Sequence, residues 1–352
     1  MDLSHRLGGA EFAPDTAYLN TSNCGLLPRR AVAAVQELAA ANATGRRGGG
    51  AGSFDSVEAA RASFARLVGV APDRVAVGGA VCVHVALIAG SVPSGGEVVV
   101  PEGEFSSLVT PFAVRGLTVR QVPLDRLAQA VDARTALVAF SAVQSADGRL
   151  ADLAAIRAAA AAHGARTLLD ATQAAGWLPV AAGDWDYTVT GGYKFLCCPR
   201  GTSFLTVSER AQQTLVPLHA GWVAGADPWQ STYGPVTELA DSARRFDESV
   251  SFLAYHGAEQ SLALLEEIGA GPVHARVTAL AGRFRRGMAR AGHDVVEAGD
   301  SAVVAAPGLG GRQEALSAAG VDASVRAGNL RLSFHLYNTD ADADRALEAL
   351  TG

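Results

Sequence analysis

The sequence is poor in cysteine and has no cluster of basic residues, and each shortage excludes a class of protein. The 352 residues include four cysteines, none in the paired Cys or His spacings of a zinc site and too few for a disulfide framework. The net charge of -6 without a basic run argues against nucleic acid as a partner, because that binding depends on neutralising phosphates. We therefore expect a small-molecule partner, no metal and a reducing, cytoplasmic location.

Long apolar runs are almost absent as well. Residues 75–96 carry no charge and are long enough to cross a bilayer. Glycines, His84 and Pro93 interrupt this stretch, so it predicts a buried strand, a glycine turn and a buried helix instead. The first 15 residues carry charges throughout and lack the apolar centre of a signal peptide. We expect no membrane partner.

Lysine occurs once, at Lys194, among 29 basic residues. Because arginine replaces lysine well as a solvated charge, a lysine that remains alone in such a sequence suggests chemistry that arginine cannot perform. Lysine can lose its proton, attack as an amine and form a Schiff base. Lys194 is therefore a candidate catalytic residue, and its chance survival on the surface is the alternative.

Hydrophobic residues make up 49% of the chain, enough to bury the cores of about two domains. Apolar runs alternate with alanine-rich stretches from about residue 55 to 210, which predicts an α/β fold with a mostly parallel sheet. A smaller C-terminal α/β domain is expected over 251–352, after a large domain over 31–250 and an N-terminal segment over 1–30. Helices are predicted at 56–70, 81–91, 150–163, 252–267, 272–291, 311–319 and 341–350. Strands are predicted at 74–78, 97–100, 118–122, 136–141, 166–170, 187–190, 202–207, 294–297, 302–306 and 330–335, with loops at 46–52 and 216–245.

Two predicted strands end in polar side chains that indicate a ligand site. The strand at 166–170 ends in Asp170, and the strand at 187–190 runs into the sequence GGYK that ends at Lys194. Parallel strands present their carboxyl ends at one edge of a sheet, where such folds bind ligands. An acid and an amine at this edge match a pyridoxal phosphate site, in which lysine bonds the cofactor and the carboxylate keeps the ring nitrogen protonated. Alone, Asp170 is equally consistent with a helix N-cap.

Three segments make this match specific. DATQAAGWLPV from Asp170, GGYKFLCCPRG around Lys194 and RLSFHLYNT from Arg331 together resemble the class V aminotransferase family of fold-type I pyridoxal phosphate enzymes. That family includes cysteine desulfurases, kynureninase and carbon-sulfur lyases, and the similarity covers nearly the whole chain. The resemblance implies pyridoxal 5'-phosphate as cofactor, a homodimer, and an N-terminal segment that contributes to the active site.

The resemblance also implies roles around the cofactor ring. Lys194 would be the Schiff-base lysine, Asp170 the partner of the pyridine nitrogen, and Gln173 a hydrogen-bonding partner of the ring hydroxyl. Phe105 stands where the family places a residue that stacks on the ring, and a plain core position is its alternative.

At the phosphate, the resemblance implies a site with an unusual composition. Gly79, Ala80 and Val81 match the family's phosphate loop, and amides at a helix start favour an anion. Gly79 and Ala80 stand where hydroxyl residues are usual, so Tyr193 is expected to supply a side-chain contact. Ser249 is expected to reach the phosphate from the other subunit of the dimer.

Substrate contacts are implied near the C-terminus. Arg331 aligns with the family's arginine for the substrate carboxylate, a task that suits a planar bidentate donor. Asn23 and Ser145 are expected as second contacts to the carboxylate or the ring. His335 lies on the strand predicted for Arg331 and would share its face, with a packed histidine as the alternative.

Fold and cofactor alone do not determine the reaction, so we use the positions at which this sequence differs from other members of the family. Cysteine desulfurases carry a persulfide-accepting cysteine before the terminal arginine motif, whereas residues 300–329 contain none. Cys24 and the terminal motif resemble ergothioneine carbon-sulfur lyases. The leading hypothesis is therefore β-elimination from a cysteine S-conjugate, in specialised metabolism, with Lys194 as both anchor and base. An aminotransferase, or a decarboxylating or racemising relative, would use the same residues, and a non-catalytic ligand-binding protein on this fold is the alternative outside enzymes.

Overall fold

The computed structural model describes residues 9–46 and 54–351. Its helices are α1 (Arg29–Ala43), α2 (Phe54–Leu67), α3 (Val81–Ser91), α4 (Ser106–Val114), α5 (Leu127–Ala130), α6 (Leu153–His163), α7 (Glu209–Gln212), α8 (Phe252–Ile268), α9 (Ala270–Arg290), α10 (Gln313–Ala318) and α11 (Asp340–Thr351). Its strands are β1 (Ala17–Tyr18), β2 (Val75–Gly78), β3 (Glu97–Pro101), β4 (Thr118–Val122), β5 (Thr135–Ser141), β6 (Arg166–Asp170), β7 (Tyr187–Gly191), β8 (Ser203–Val207), β9 (Val303–Ala306), β10 (Val321–Asp322), β11 (Ser324–Arg326) and β12 (Asn329–Ser333).

The central sheet contains seven strands in the order β2-β8-β7-β6-β5-β3-β4. Strands β7, β6, β5, β3 and β4 run parallel, and β8 runs antiparallel to both of its neighbours. Successive side chains enter different apolar clusters, so that in β5 Leu137 and Ala139 pack in one cluster and Val138 and Phe140 in another. Burial of both faces explains the nearly continuous apolar runs of these strands.

The helices that flank the sheet differ in how they begin. The Asp152 side chain caps the start of helix α6 by accepting the Ala155 amide at 3.0 Å, and Gly164, whose φ is +70°, follows its last residue. Ala80, the residue before α3, provides no side-chain cap. The first amides of an α-helix have no intrahelical partner, so those of α3 depend on groups from elsewhere.

A smaller sheet forms in the C-terminal region. Strands β11, β12 and β9 pair antiparallel, and the short β1 pairs parallel with β10. Phe284 of α9 and Phe334 share an apolar cluster with Leu19, which follows β1. The N-terminal segment is thus packed on the C-terminal sheet, and the division of the chain at residues 30 and 250 stays a prediction.

Most predicted elements of the central sheet are confirmed, and α3, β4 and β6 coincide with the ranges expected from the sequence. The strand predicted at 294–297 is wrong, because these residues make only one backbone bond to the sheet, from the Val296 amide to the Ala305 carbonyl at 2.8 Å. The strand predicted at 330–335 ends at Ser333, since the His335 amide donates to Asn338 Oδ1 at 2.8 Å in a turn. The loop predicted at 46–52 lies, beyond Arg46, outside the described residues.

Within residues 9–46 and 54–351, no helix has both the length and the apolar character needed to cross a membrane.

Candidate active site

A pocket of about 220 Å³ lies at the edge where β5, β6 and β7 end and where α3 and α4 begin. Nine residues predicted from the sequence line it, namely Gly79, Ala80, Val81, Phe105, Ser145, Asp170, Gln173, Tyr193 and Lys194. The other lining residues are Cys82, Ser107, Ser141, Thr172, Gly191, Arg200, Gly201 and Thr202. The sheet therefore gathers residues that are distant in sequence at one edge, as expected for parallel strands.

Asp170 ends β6 and lines this pocket as a buried residue, with 5% of its surface exposed. Burial raises the pKa of its carboxyl group to about 6, while hydrogen bonds from Thr172 and the charge of Lys194 act in the opposite direction. One of those bonds joins the Thr172 amide to Asp170 Oδ1 at 2.8 Å. The carboxyl group is thus held in place and is suited to share a proton with a basic nitrogen in the pocket.

Lys194 lies three residues beyond the end of β7 and is also buried. Burial lowers the pKa of its amine to about 8, and the charge of Asp170 limits this decrease. Its Nζ lies 5.1 Å from the centre of the Phe105 ring and 5.9 Å from that of Tyr193. Among the residues that the structure describes, no carboxylate forms a salt bridge with Lys194. The amine is therefore available as a nucleophile or base near neutral pH.

The lysine loop is fixed by a close approach of the N-terminal segment. The Gly25 amide donates to the Tyr193 carbonyl at 2.8 Å, and a β-carbon at Gly25 would collide with the Lys194 carbonyl. Cys24, the residue before Gly25, is half-buried and does not line the pocket. Its Sγ lies 3.5 Å from the Gly25 carbonyl oxygen. Only a glycine at position 25 lets the N-terminal segment come this close to the Lys194 backbone.

The turn between β2 and α3 lines the pocket with Gly79, Ala80 and Val81. It opens a helix of 11 residues, so its amides and the helix dipole favour an anion. The Gly79 amide donates to the carboxylate of Glu248. Gly78 makes room for that carboxylate, because a β-carbon there would meet Glu248 Oε1.

Phe105 lies on the pocket wall rather than in the core, with 43% of its surface exposed. The residue before it, Glu104, anchors the loop that carries Phe105 through hydrogen bonds to residues at and after the end of β5. Glu104 accepts hydrogen bonds from the Ser141 amide at 2.8 Å, the Ser141 hydroxyl at 2.7 Å and Gln144 Nε2 at 2.9 Å. The exposed ring is therefore presented to the pocket on a well-anchored loop.

Arg331 lies behind the pocket in β12, with 1% of its surface exposed. Its Nη1 donates to the Ser145 carbonyl, and its Nε and Nη2 donate to Ser324 Oγ at 3.3 and 3.1 Å. Burial and the charge of Arg326 lower the pKa of this guanidinium to about 10. Gln173 Nε2 donates to Ser145 Oγ at 3.1 Å, which links Arg331 to the pocket wall. No carboxylate among the described residues pairs with Arg331, so it keeps its attraction for an anion.

The placement of His335 beside Arg331 is wrong. Its Nε2 donates to the Phe195 carbonyl at 2.8 Å, and its Nδ1 accepts the Leu336 amide at 2.7 Å. Burial lowers the pKa of the ring to about 4. Because β12 ends at Ser333, the alternation of faces does not extend to His335, and the imidazole packs in the core.

Asn23 and Ser249 are both exposed and do not line this pocket. Asn23 Oδ1 accepts a hydrogen bond from Arg326 Nη2 at 3.1 Å. Ser249 follows Glu248 and is predicted to contact the phosphate in the pocket of the other subunit.

Sequence reasoning missed Arg200, Thr172 and Glu104. The Arg200 guanidinium lies 4.2 Å from the centre of the Tyr193 ring and lines the pocket. Thr172 Oγ1 accepts the Gly191 amide at 2.9 Å and so ties the ends of β6 and β7 together. Arg200 and Thr172 lie in the two segments used to find Asp170 and Lys194, whereas the role of Glu104 depends on a pairing of distant loops that has no local signal.

The sequence profile of the aminotransferase class-V family matches residues 17–346. The chain belongs to this family. Kynureninase of Deinococcus radiodurans is 28% identical over 81% of this chain and 74% of the relative. Isopenicillin N epimerase of Amycolatopsis lactamdurans is 27% identical over 96% of this chain and 95% of the relative. The family assignment makes this chain a pyridoxal phosphate-dependent enzyme.

Solved structures show the same fold. The cystine C-S lyase C-DES, in complex with its product cysteine persulfide, aligns with a TM-score of 0.86 at 20% identity, over 96% of this chain and 97% of that one. The cysteine desulfurase CsdA of Escherichia coli aligns with a TM-score of 0.83 at 19% identity, over 99% and 97%. The fold is therefore that of fold-type I pyridoxal phosphate enzymes, with a mostly parallel central sheet.

The residues of the pocket fit the cofactor of this family. Gln173 Oε1 is buried and has no hydrogen-bonding partner among the described residues, although the residue lines the pocket. Lys194 offers an amine and Asp170 a carboxyl group within the same pocket, beside an exposed aromatic ring at Phe105. An aldehyde, a pyridine nitrogen and a polar ring substituent thus each have a suitable partner.

Proposed function

We propose that this enzyme cleaves the carbon-sulfur bond of cysteine S-conjugates and releases a thiol, pyruvate and ammonia. Lys194 would bond the cofactor, Asp170 would hold its ring nitrogen protonated, Gln173 would bind its hydroxyl and Phe105 would stack on its ring. Gly79, Ala80, Val81 and Tyr193 would face its phosphate, with Ser249 from the other subunit. The bound cofactor supplies an electron sink that makes the substrate's Cα proton acidic.

The observation that carries this proposal is the environment of Lys194. A buried amine with a pKa of about 8, and with no salt-bridge partner in residues 9–46 and 54–351, can accept the Cα proton. The substrate carboxylate would bind Arg331, which already contacts Ser145, and Ser145 and Asn23 would assist. Cleavage then needs no strong acid at the leaving group, because a thiolate is a weak base that can leave before it is protonated. One water converts the remaining three-carbon fragment into pyruvate and ammonia.

Two features support a lyase over a sulfur-transferring desulfurase. Residues 300–329 contain no cysteine. Cys197 and Cys198 are fully buried, and burial raises the pKa of both thiols. Of the thiols in the described residues, only Cys82 lines the pocket, and it lies in the first turn of α3, next to the residues proposed for the phosphate.

An aminotransferase or a racemising or decarboxylating enzyme is the second candidate. The 27% identity to isopenicillin N epimerase over nearly the full length favours it. A racemase would return a proton to Cα, and an aminotransferase would return one to the cofactor, both through Lys194. These reactions leave the substrate's sulfur in place, which separates them from elimination.

We further propose a homodimer that works in the cytoplasm. Trp229 and Tyr233 are 66% and 93% exposed in a loop-rich region that also precedes Ser249, so a second subunit would cover apolar surface there. The four cysteines are free thiols, in keeping with a reducing compartment. Light scattering of the cofactor-loaded enzyme measures the subunit number directly.

A series of S-aryl cysteines with different thiol pKa values tests the reaction. If C-S cleavage limits turnover, kcat rises as the pKa of the leaving thiol falls, and alanine, which has no leaving group, gives no pyruvate. A control with Lys194→Ala should release no thiol. Release of thiol at the same rate from the variant would reject the assignment of the base.

A further inference from the structure

One contact joins the active-site pocket to a second cavity. The Gly79 amide, on the pocket side, donates to the Glu248 carboxylate, and Glu248 lines a separate cavity of about 230 Å³. The Glu248 amide in turn donates to the Val77 carbonyl at 3.3 Å, which holds this residue beside the turn. A carboxylate of the chain itself therefore occupies an amide at the start of α3.

The contact between Gly79 and Glu248 places a carboxylate where a phosphate at this turn would also bind. Helix α3 has no side-chain cap, so the amides at its start and the positive end of its dipole attract an anion to this turn. Within the described residues, Glu248 forms no salt bridge that would neutralise its charge. A phosphate that arrives at Gly79, Ala80 and Val81 meets a negative charge already bound there.

We propose that Glu248 is an internal competitor for the cofactor phosphate, which must release the Gly79 amide when the cofactor binds. The inference rests on the proposed placement of the phosphate at this turn. Glu248 thereby weakens cofactor retention and makes the loaded fraction sensitive to cofactor concentration.

The second cavity offers the displaced carboxylate a place to go. Arg244 lines the same cavity as Glu248, and within the described part of the chain its guanidinium donates only to backbone carbonyls, those of Val223 and Ala226, both at 2.9 Å. Among the described residues, no carboxylate forms a salt bridge with Arg244. Arg61, on another wall, is already paired with Asp247 at 2.7 Å. We therefore assign Arg244 as the partner of Glu248 in the cofactor-bound state.

Cofactor titration of the full-length apoenzyme tests this proposal. Glu248→Gln keeps the size of the side chain and removes its charge, and it should lower the Kd for pyridoxal phosphate at least about threefold at low ionic strength. Glu238→Gln, at an exposed acid in the same loop-rich region, is the matched control and should leave Kd unchanged. Inorganic phosphate should also compete with the cofactor more strongly in Glu248→Gln than in the unmodified enzyme.

Pyridoxal without its phosphate separates charge competition from a general loosening of the site. The Glu248→Gln effect should disappear with pyridoxal, and an equal gain with both compounds would overturn the proposal. An unchanged or weaker affinity for pyridoxal phosphate would overturn it too. If the absorption spectrum of pyridoxal phosphate does not change when it is mixed with the unmodified enzyme, the proposed function is overturned instead.

A double-mutant cycle tests the role of Arg244. Arg244→Gln should weaken cofactor binding in the unmodified background, because Glu248 loses its alternative partner. The same substitution should have little effect when residue 248 is already glutamine. An equal loss in both backgrounds would show that Arg244 acts on loop structure alone.

Discussion

Asp170 ends β6, and Lys194 lies three residues beyond the end of the neighbouring parallel strand β7; both line one pocket, yet no salt bridge joins them. Burial moves their pKa values toward each other, Asp170 up to about 6 and Lys194 down to about 8. A direct ion pair would instead hold both groups charged and unreactive. The separation leaves the carboxyl group free to serve one end of a bound ring and the amine free to act at the other.

Lys194→Ala should abolish turnover and the visible absorbance of the covalently bound cofactor. The reason is that the chain has no other lysine to supply an amine. Absorption spectra of the reconstituted variant and a turnover assay check this, with Lys194→Arg as a control that keeps the charge. A variant with normal activity would remove the assigned role of this residue.

The rate at which the apoenzyme captures the cofactor should depend on pH through Lys194. Only the neutral amine attacks an aldehyde, so the competent fraction rises as pH rises through a pKa of about 8. The rate should increase about tenfold between pH 7 and pH 9 and then level off. Stopped-flow absorbance over this range measures it. A rate that still climbs about sevenfold from pH 9 to pH 10 would indicate an ordinary exposed lysine.

Asp170→Asn should retain some cofactor but lose most of the rate. The neutral amide cannot hold the ring nitrogen protonated, so the electron sink is lost, and we expect kcat to fall at least about a hundredfold. Cofactor content measured after denaturation distinguishes this loss from poor binding. Unchanged kinetics with full cofactor content would be incompatible with the role given to Asp170.

Arg331→Lys should raise KM for substrates with a free α-carboxylate by about tenfold or more, because it replaces a planar bidentate donor with a single ammonium group. Ser324→Ala, which removes an acceptor that orients Arg331, should produce a smaller increase. The matched substrate amide should bind equally to all three enzymes. If Arg331→Lys leaves KM unchanged, the carboxylate binds elsewhere, with Arg326 as the next candidate.

The sequence predicts well those features that local pattern determines. Apolar runs placed the central strands, and the positions of Asp170 and Lys194 at strand ends predicted a shared pocket that the structure confirms. The failures arise where a turn interrupts a pattern, since His335 lies beyond the end of β12 and packs inward. Contacts between distant segments, such as Glu104 with Ser141 or Glu248 with Gly79, leave no signal in a single sequence.

The most direct test of the account is to mix the cofactor-loaded enzyme with a panel of S-substituted cysteines and measure thiol, pyruvate and the visible spectrum together. Elimination predicts equal amounts of thiol and pyruvate, with the starting spectrum restored after each turnover. Consumption of the amino acid without thiol release, together with a lasting loss of the starting spectrum, would contradict the lyase and identify an aminotransferase.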